Sequence, residues 1–264
     1  MKNGCISIFV CVAISIAAFL SMKPANAEDV SLSIPRGSAP TISKALAARD
    51  VLGIKLGMTT QEVASILESE GYDVDIRERP VSIKFQIDGK TQKFDSAPFI
   101  RAVNGSIREG FHNNYISVGF SSPINGNVAI SILRYIKYIR DTAPQADEVL
   151  HSLSKKYNID FGNRSNYVDS MFSDGKNSLP NRGYIDTASS FETLRESTHS
   201  FTPVPRLYYF SAGIEKKIDK VEEFSVLIFD TNAYLQDKNM LDNYLAKFIE
   251  ERRKKVSVLP SPKL

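Results

Sequence analysis

The first 27 residues constrain what the rest of the chain can fold into, because they predict export from the cytoplasm. Lys2 gives a positive start, and the segment from Ile6 to Leu20 is almost entirely apolar. Ala25-Asn26-Ala27 then provides the small-x-small pattern of a signal-peptidase site. The apolar run is shorter than the roughly 20 residues of a membrane span. We therefore expect a signal peptide over residues 1–27, cleavage between Ala27 and Glu28, and a periplasmic or secreted protein. An uncleaved N-terminal anchor is the alternative.

The exported part would contain no cysteine, because Cys5 and Cys11 both lie within this leader. Small exported domains often rely on disulfides because their cores are too small to hold alone. A chain from Glu28 to Leu264 is long enough to bury a sufficient core without them. The composition therefore excludes a disulfide scaffold and a thiolate metal site, and it fits a periplasmic protein.

The charge balance gives no reason to expect nucleic-acid binding. Of 33 Lys and Arg, Lys2 and Lys23 would leave with the leader, so 31 remain against 30 Asp and Glu. Nucleic-acid binding needs a strongly basic face. The only dense basic run is Arg252, Arg253, Lys254 and Lys255. We interpret it as a solvated helix end whose cations suit the negative pole of the helix dipole. Contact with an anionic surface is the weaker alternative.

Helical periodicity appears three times. Thr59 and Glu62 form a capping box before an apolar stripe, which predicts a helix from Thr59 to Gly71. The segment after Pro144 has a second stripe, and Asn239 to about Lys255 has the clearest one, with apolar residues at i, i+3, i+4, i+7 and i+8. A short alanine-rich helix is expected within Thr41–Arg49.

Strand-like alternation fills most of the remaining chain. Val81 to Ile87 alternates up to Asp88-Gly89, a strong hairpin signal. Further strands are expected from Phe99 with a turn at Asn104-Gly105, over 116–120, 128–139, 167–172, 206–214 and 223–229. The connections are short, so the sheet should be antiparallel.

Together these patterns predict an α+β fold with helices packed on one face of antiparallel sheet. The two internal helices carry Glu-Val and Leu at matching positions, and strands follow each helix, so a duplicated helix-plus-sheet unit is one interpretation. The expected organisation is a linker with a possible short helix over 28–50, units over 51–140 and 141–255, and a flexible tail over 256–264.

The segment Gly53-Ile54-Lys55-Leu56-Gly57-Met58-Thr59-Thr60-Gln61-Glu62-Val63 resembles the start of the SmpA/OmlA family, the BamE-like envelope proteins. The residues that match the family signature are Gly57, Met58, Thr59, Glu62, Val63, Ile66, Leu67 and Gly71. The resemblance implies helices against a small antiparallel sheet, and in tandem versions an arrangement similar to beta-lactamase-inhibitor proteins. It also implies an exported, non-enzymatic protein that binds other envelope proteins. The chain lacks the lipid-attachment cysteine of that family.

The sequence contains no residue pattern that is typical of a catalytic or metal-binding site. His112, His151 and His199 are far apart, and His199 with Asp186 and Ser189 has no nucleophile-elbow pattern around it. Asp174-Gly175 resembles a calcium loop only superficially, because the glycine comes too early. We therefore expect no catalytic, cofactor or metal site and no enzyme activity. A hydrolase with a site built from distant residues is the alternative.

The strongest functional signal is a group of tyrosines in predicted strands. Tyrosines on the outer face of a sheet form a rigid amphipathic contact surface. The candidate partner surface consists of Tyr115, Tyr135, Tyr138, Tyr208 and Tyr209. The expected function is protein binding or assembly in the cell envelope. An inhibitor of a secreted enzyme would use the same surface. The same tyrosines could instead cap the core.

Overall fold

The computed structural model describes residues 32–257, apart from residues 88, 109, 140, 159–166, 174–175, 179–206 and 218. The predicted signal peptide and its cleavage site lie outside the described residues. The helices are α1 (Lys44–Ala47), α2 (Thr60–Ser69), α3 (Ala146–Tyr157) and α4 (Thr231–Ser257), with a 3-10 turn at Pro123–Asn125. The strands are β1 (Asp73–Arg79), β2 (Ser82–Ile87), β3 (Lys90–Asp95), β4 (Phe99–Ser106), β5 (Phe111–Phe120), β6 (Ala129–Tyr138), β7 (Tyr167–Ser173), β8 (Lys176–Ser178), β9 (Leu207–Lys217) and β10 (Lys220–Asp230).

Eight of these strands form one antiparallel sheet in the order β1-β4-β5-β6-β10-β9-β7-β8, and β2 and β3 form a separate hairpin. Strands from before and after α3 meet at the centre, where Leu133 of β6 lies opposite Leu227 of β10. The predicted α+β class with antiparallel sheet is confirmed. The idea that the two halves are repeats stays a prediction.

The main core lies between one face of this sheet and the helices α2 and α3. Val118, Ile132 and Ile228 are side by side across β5, β6 and β10, and all three are fully buried. They belong to one apolar cluster with Val63 and Leu67 of α2 and with Leu153 and Tyr157 of α3. Both predicted stripes therefore face the sheet, as the helical spacing requires.

The start of α2 shows the predicted capping box. The Thr59 N–H donates to Glu62 Oε2 at 2.7 Å, and the Glu62 N–H donates to Thr59 Oγ1 at 3.4 Å. Two N–H groups that the helix itself cannot satisfy are thereby satisfied. Gly71 follows the helix with a φ of +79°, which a glycine adopts at little cost.

The closing helix begins at Thr231, immediately after β10, rather than at the predicted Asn239. Asp230 is the reason, because its Oδ1 accepts the N–H groups of Asn232 and Ala233, each at 3.0 Å. Tyr234 of this helix packs with Leu133, Leu227 and Phe229. These residues alternate with the main-core row along β6 and β10, so α4 lies against the opposite sheet face. The helices α2 and α3 therefore pack on one face of the sheet, as predicted, whereas α4 packs on the other face.

The expected linker is packed where the structure describes it. Leu32 is fully buried, and the Gly37 N–H donates to the carbonyl of Pro123 at 3.0 Å. The short helix α1 lies inside the predicted range. The hairpin contacts α4, where the rings of Phe94 and Phe248 are 5.5 Å apart in an edge-on arrangement.

The turn predicted at Asn104-Gly105 is wrong, because β4 continues through both residues to Ser106. A Cβ on Gly105 would lie 3.0 Å from Cδ1 of Tyr72 and 3.0 Å from Cγ2 of Ile116. The glycine therefore marks a close approach of a neighbouring ring to the strand, which is a common role of glycine within a sheet.

Candidate functional site

Two of the five candidate tyrosines meet on the sheet face that carries α4. Tyr115 of β5 and Tyr135 of β6 are directly opposite in the register, and their ring centroids are 5.5 Å apart. Both are half-buried. Residues two apart on a strand share a face, so these rings lie in line with Ser117 and Leu133. We call the group of Tyr115, Ser117, Tyr135, Lys137, Glu223 and Ser225 the tyrosine surface, within which Ser117 is buried.

A small apolar cluster supports this surface from one side. Leu133, Leu227 and Phe229 are buried, and Tyr115 packs against them together with Tyr234 of α4. Burial raises the pKa of the Tyr115 hydroxyl to about 12. The cluster fixes the Tyr115 ring, and Tyr115 in turn contacts Tyr135.

A charged pair borders the tyrosines. Lys137 and Glu223 are opposite each other on β6 and β10, and Lys137 Nζ lies 2.8 Å from Glu223 Oε1. The Glu223 carboxylate also accepts a hydrogen bond from Tyr135. Burial alone would raise the pKa of Glu223, but these two hydrogen bonds outweigh it and hold the pKa below its ordinary value of 4.5. The carboxylate is thus ionised at neutral pH, and through its two hydrogen bonds it links Tyr135 to Lys137.

The remaining polar groups of the surface are small or already bonded within the protein. The Ser117 hydroxyl donates to Asn104 Oδ1 at 2.7 Å. Ser225 is opposite Tyr135 in the register and has a small side chain. The arrangement is suited to binding, because rigid rings offer apolar area while Glu223 and Lys137 supply an acceptor and a donor.

The other candidate tyrosines are placed differently. Tyr138 is three residues from Tyr135 on the same strand, so it has the opposite orientation. Its ring lies 5.7 Å from that of Phe111 and packs against the main core, and burial raises its pKa. Tyr208 and Tyr209 are opposite Asp230 and Phe229 in the backbone register of β9 and β10.

The histidines are not brought together where the structure describes them. His151 is exposed on α3, and His112 lies within β5. His199, Asp186 and Ser189 lie outside the described residues, as does Asp174-Gly175, although Ser173 and Lys176 on either side of it pair as β7 and β8. Within the described ranges, no group of three or more His, Cys, Asp or Glu is placed to hold a metal ion.

The basic run ends α4. Lys254 Nζ lies 2.5 Å from Glu250 Oε1, one turn away, and the Arg252 guanidinium lies 5.3 Å from the Phe248 ring centroid. No helix among the residues that the structure describes is both long enough and apolar enough to span a membrane.

Lys137 and Glu223 were not among the residues predicted from sequence. Their charges are visible, and Lys137 follows Tyr135 at the strand spacing of two, but their pairing depends on β6 and β10 being neighbours.

Comparison of the chain with protein-family models, with curated proteins and with solved structures found no match in any of the three.

Proposed function

We propose that this chain is an exported, non-catalytic module of the cell envelope that binds another protein through the tyrosine surface. The observation that carries the proposal is the pair formed by Tyr115 and Tyr135, whose ring centroids are 5.5 Å apart and of which Tyr115 packs against buried Leu133 and Leu227. Tyrosine suits protein recognition because it offers a large contact area with few rotatable bonds to immobilise.

The flanking charges favour a protein partner over a purely apolar ligand. Glu223 and Lys137 lie beside the rings and already bond to each other, so they need little reordering when a partner arrives. Such a polar rim around aromatic anchors is typical of protein–protein contact sites. A partner with a complementary donor or acceptor near an apolar patch would fit.

The compartment part of the proposal rests on the leader and on the absence of cysteine after Cys11. The segment from Gly57 to Gly71, which resembles BamE-like proteins, agrees with an envelope role. N-terminal sequencing of the protein recovered from the periplasm should begin at Glu28. Recovery of full-length protein from the cytoplasm would contradict export.

The binding part is tested by a matched pair of alanine variants on one strand. Crosslinking in the native envelope first identifies the captured protein, and its affinity is then measured with purified components. Tyr135→Ala should weaken binding about tenfold or more, as expected for an aromatic anchor. Tyr138→Ala removes a tyrosine side chain from the opposite face of the same strand and should change the affinity by less than about twofold.

Melting temperatures of both variants show whether they fold. Equal affinity losses in Tyr135→Ala and Tyr138→Ala, with both variants folded, would contradict a role for the tyrosine surface. An inhibitor of a secreted enzyme is a special case of this proposal, in which the captured protein is an enzyme that loses activity when bound.

A further inference from the structure

Strand β1 forms an edge of the sheet, since among the described strands it pairs only with β4. Six of its seven residues are exposed. Ile76 at its centre is 46% exposed, more than Ile139 or Met240, the other exposed large apolar residues in the described ranges. Pro80 directly follows the strand and cannot donate a hydrogen bond to a further ladder.

The charges of β1 are arranged symmetrically around Ile76. Asp73 and Asp75 precede it, and Arg77 and Arg79 follow it at the same distances. An antiparallel copy of the strand with Ile76 opposite Ile76 places Asp75 opposite Arg77 and Asp73 opposite Arg79. A parallel copy in register would instead place like charges side by side, which is unfavourable.

We propose that β1 pairs antiparallel with β1 of a second copy of this chain, with the two Ile76 residues at the twofold axis. The sheets of the two copies then join into one continuous sheet. Such a contact is isologous, because each residue of the strand meets its complement on the same strand of the other copy.

The local geometry of β1 suits this pairing. The irregularity in its pairing with β4 falls where Arg77 and Glu78 face Ala102 and Ile100, so the extra residue is Arg101 on β4. Strand β1 itself carries no inserted residue to bend its outer edge. Asp75 and Arg77 already bond within the strand, and their side chains are 53% and 59% exposed, which leaves them accessible to a second copy.

The expected dimer is weak and sensitive to salt. Main-chain hydrogen bonds of the added strand supply most of the affinity, and the side chains set the register. Seven residues per copy give a small contact, of the size found in transient complexes. The exposed ion pairs are screened as ionic strength rises.

Sedimentation equilibrium of the purified chain tests the proposal without any other protein present. Wild type should shift from monomer to dimer as its concentration rises. Arg77→Asp places Asp75 opposite an aspartate in two symmetric pairs and should raise the dissociation constant about tenfold or more. Asp75→Arg should do the same. An equal mixture of the two variants should dimerise again, because each strand then meets the opposite charge.

Lys84→Asp makes the same charge change on exposed β2 and serves as the control, which should dimerise like wild type. Thermal melting confirms that each variant folds. Wild type that stays monomeric at all concentrations, or variants whose mixture behaves like the separate variants, would overturn the proposal. So would an edge that pairs only with a strand of a different protein.

A disulfide test reads the register directly in a chain whose Cys5 and Cys11 are replaced by serine. Ile76→Cys should form an intermolecular disulfide under mild oxidation, because the two positions face each other. Val74→Cys should crosslink much less, because it faces Glu78 of the second copy. Equal crosslinking of the two variants would contradict the assigned register.

Discussion

The Asp230 carboxylate accepts a 2.6 Å hydrogen bond from the backbone N–H of Ser43, which lies 187 residues earlier in the chain. The other carboxylate oxygen caps the first turn of α4. Asp230 is fully buried. Asp230 is therefore the last residue of β10, the cap of the last helix and the acceptor that holds the segment before α1.

Replacing Asp230 should destabilise the fold strongly. Asp230→Ala leaves three N–H groups without their acceptor, and we expect the free energy of unfolding to fall by about 2–4 kcal/mol. Urea unfolding measures this loss. Asp242→Ala removes an exposed aspartate of the same helix, paired with Lys238, and should cost less than about 1 kcal/mol. Similar losses in both variants would contradict the role assigned to Asp230.

Gly105 should not tolerate a methyl group. In Gly105→Ala the new Cβ meets Tyr72 and Ile116 at 3.0 Å, so the ring or the strand must shift. Overpacking of this kind should lower stability by about 1–3 kcal/mol in chemical denaturation. Ser106→Ala changes the adjacent half-buried residue and should stay within about 0.5 kcal/mol of wild type. An unchanged midpoint in Gly105→Ala would show that the close approach is not rigid.

Stability should decline at alkaline pH through Tyr115. Burial raises the pKa of its hydroxyl from 10.0 to about 12, so the folded state retains the proton when the unfolded chain has lost it. This contribution is fully present below pH 10 and is lost as the pH rises towards 12. Tyr115→Phe should therefore flatten the decline of unfolding free energy over that interval.

Tyr157→Phe provides a second check, because burial raises the pKa of Tyr157 to about 12 as well. Each variant should remove part of the alkaline dependence, and the double variant should remove more. Denaturant midpoints measured in parallel at several pH values give the slopes. A Tyr115→Phe slope identical to that of wild type would contradict the burial of this hydroxyl.

The features that depend only on neighbouring residues were predicted from the sequence. The capping box at Thr59 and the hairpin at Asp88-Gly89 depend on neighbouring residues, and the flanking strands β2 and β3 pair as expected. Strand β1 was missed because only Val74 and Ile76 among its residues are apolar. An edge strand needs few apolar residues, since most of its side chains face water.

Long-range relationships were the part that sequence patterns could not supply. The early start of α4 depends on Asp230, which looks like the last residue of a strand until the helix after it is seen. The apolar stripe of α4 is evident in the sequence, but the sheet face against which it packs depends on the order of the strands. The same holds for Glu223 and Lys137, which become neighbours only because β10 pairs with β6.

The candidate tyrosines illustrate the same division. Tyr135 and Tyr138 are three apart, so strand alternation alone places them on opposite faces. The pairing of Tyr115 with Tyr135 depends on the register between β5 and β6, which is shifted by irregularities at Phe111/Asn113 and at Gly119/Phe120 that the sequence does not signal.

The most direct test of the binding surface is site-specific photocrosslinking in intact cells. A photoreactive residue at Ser225, opposite Tyr135, is compared with one at His151, which is exposed on α3 across the sheet. We expect a crosslink to one envelope protein from position 225 and none from position 151, and loss of that crosslink when Tyr135→Ala is added. Equal crosslinks from both positions, or a crosslink from 225 that survives Tyr135→Ala, would contradict binding through the tyrosine surface.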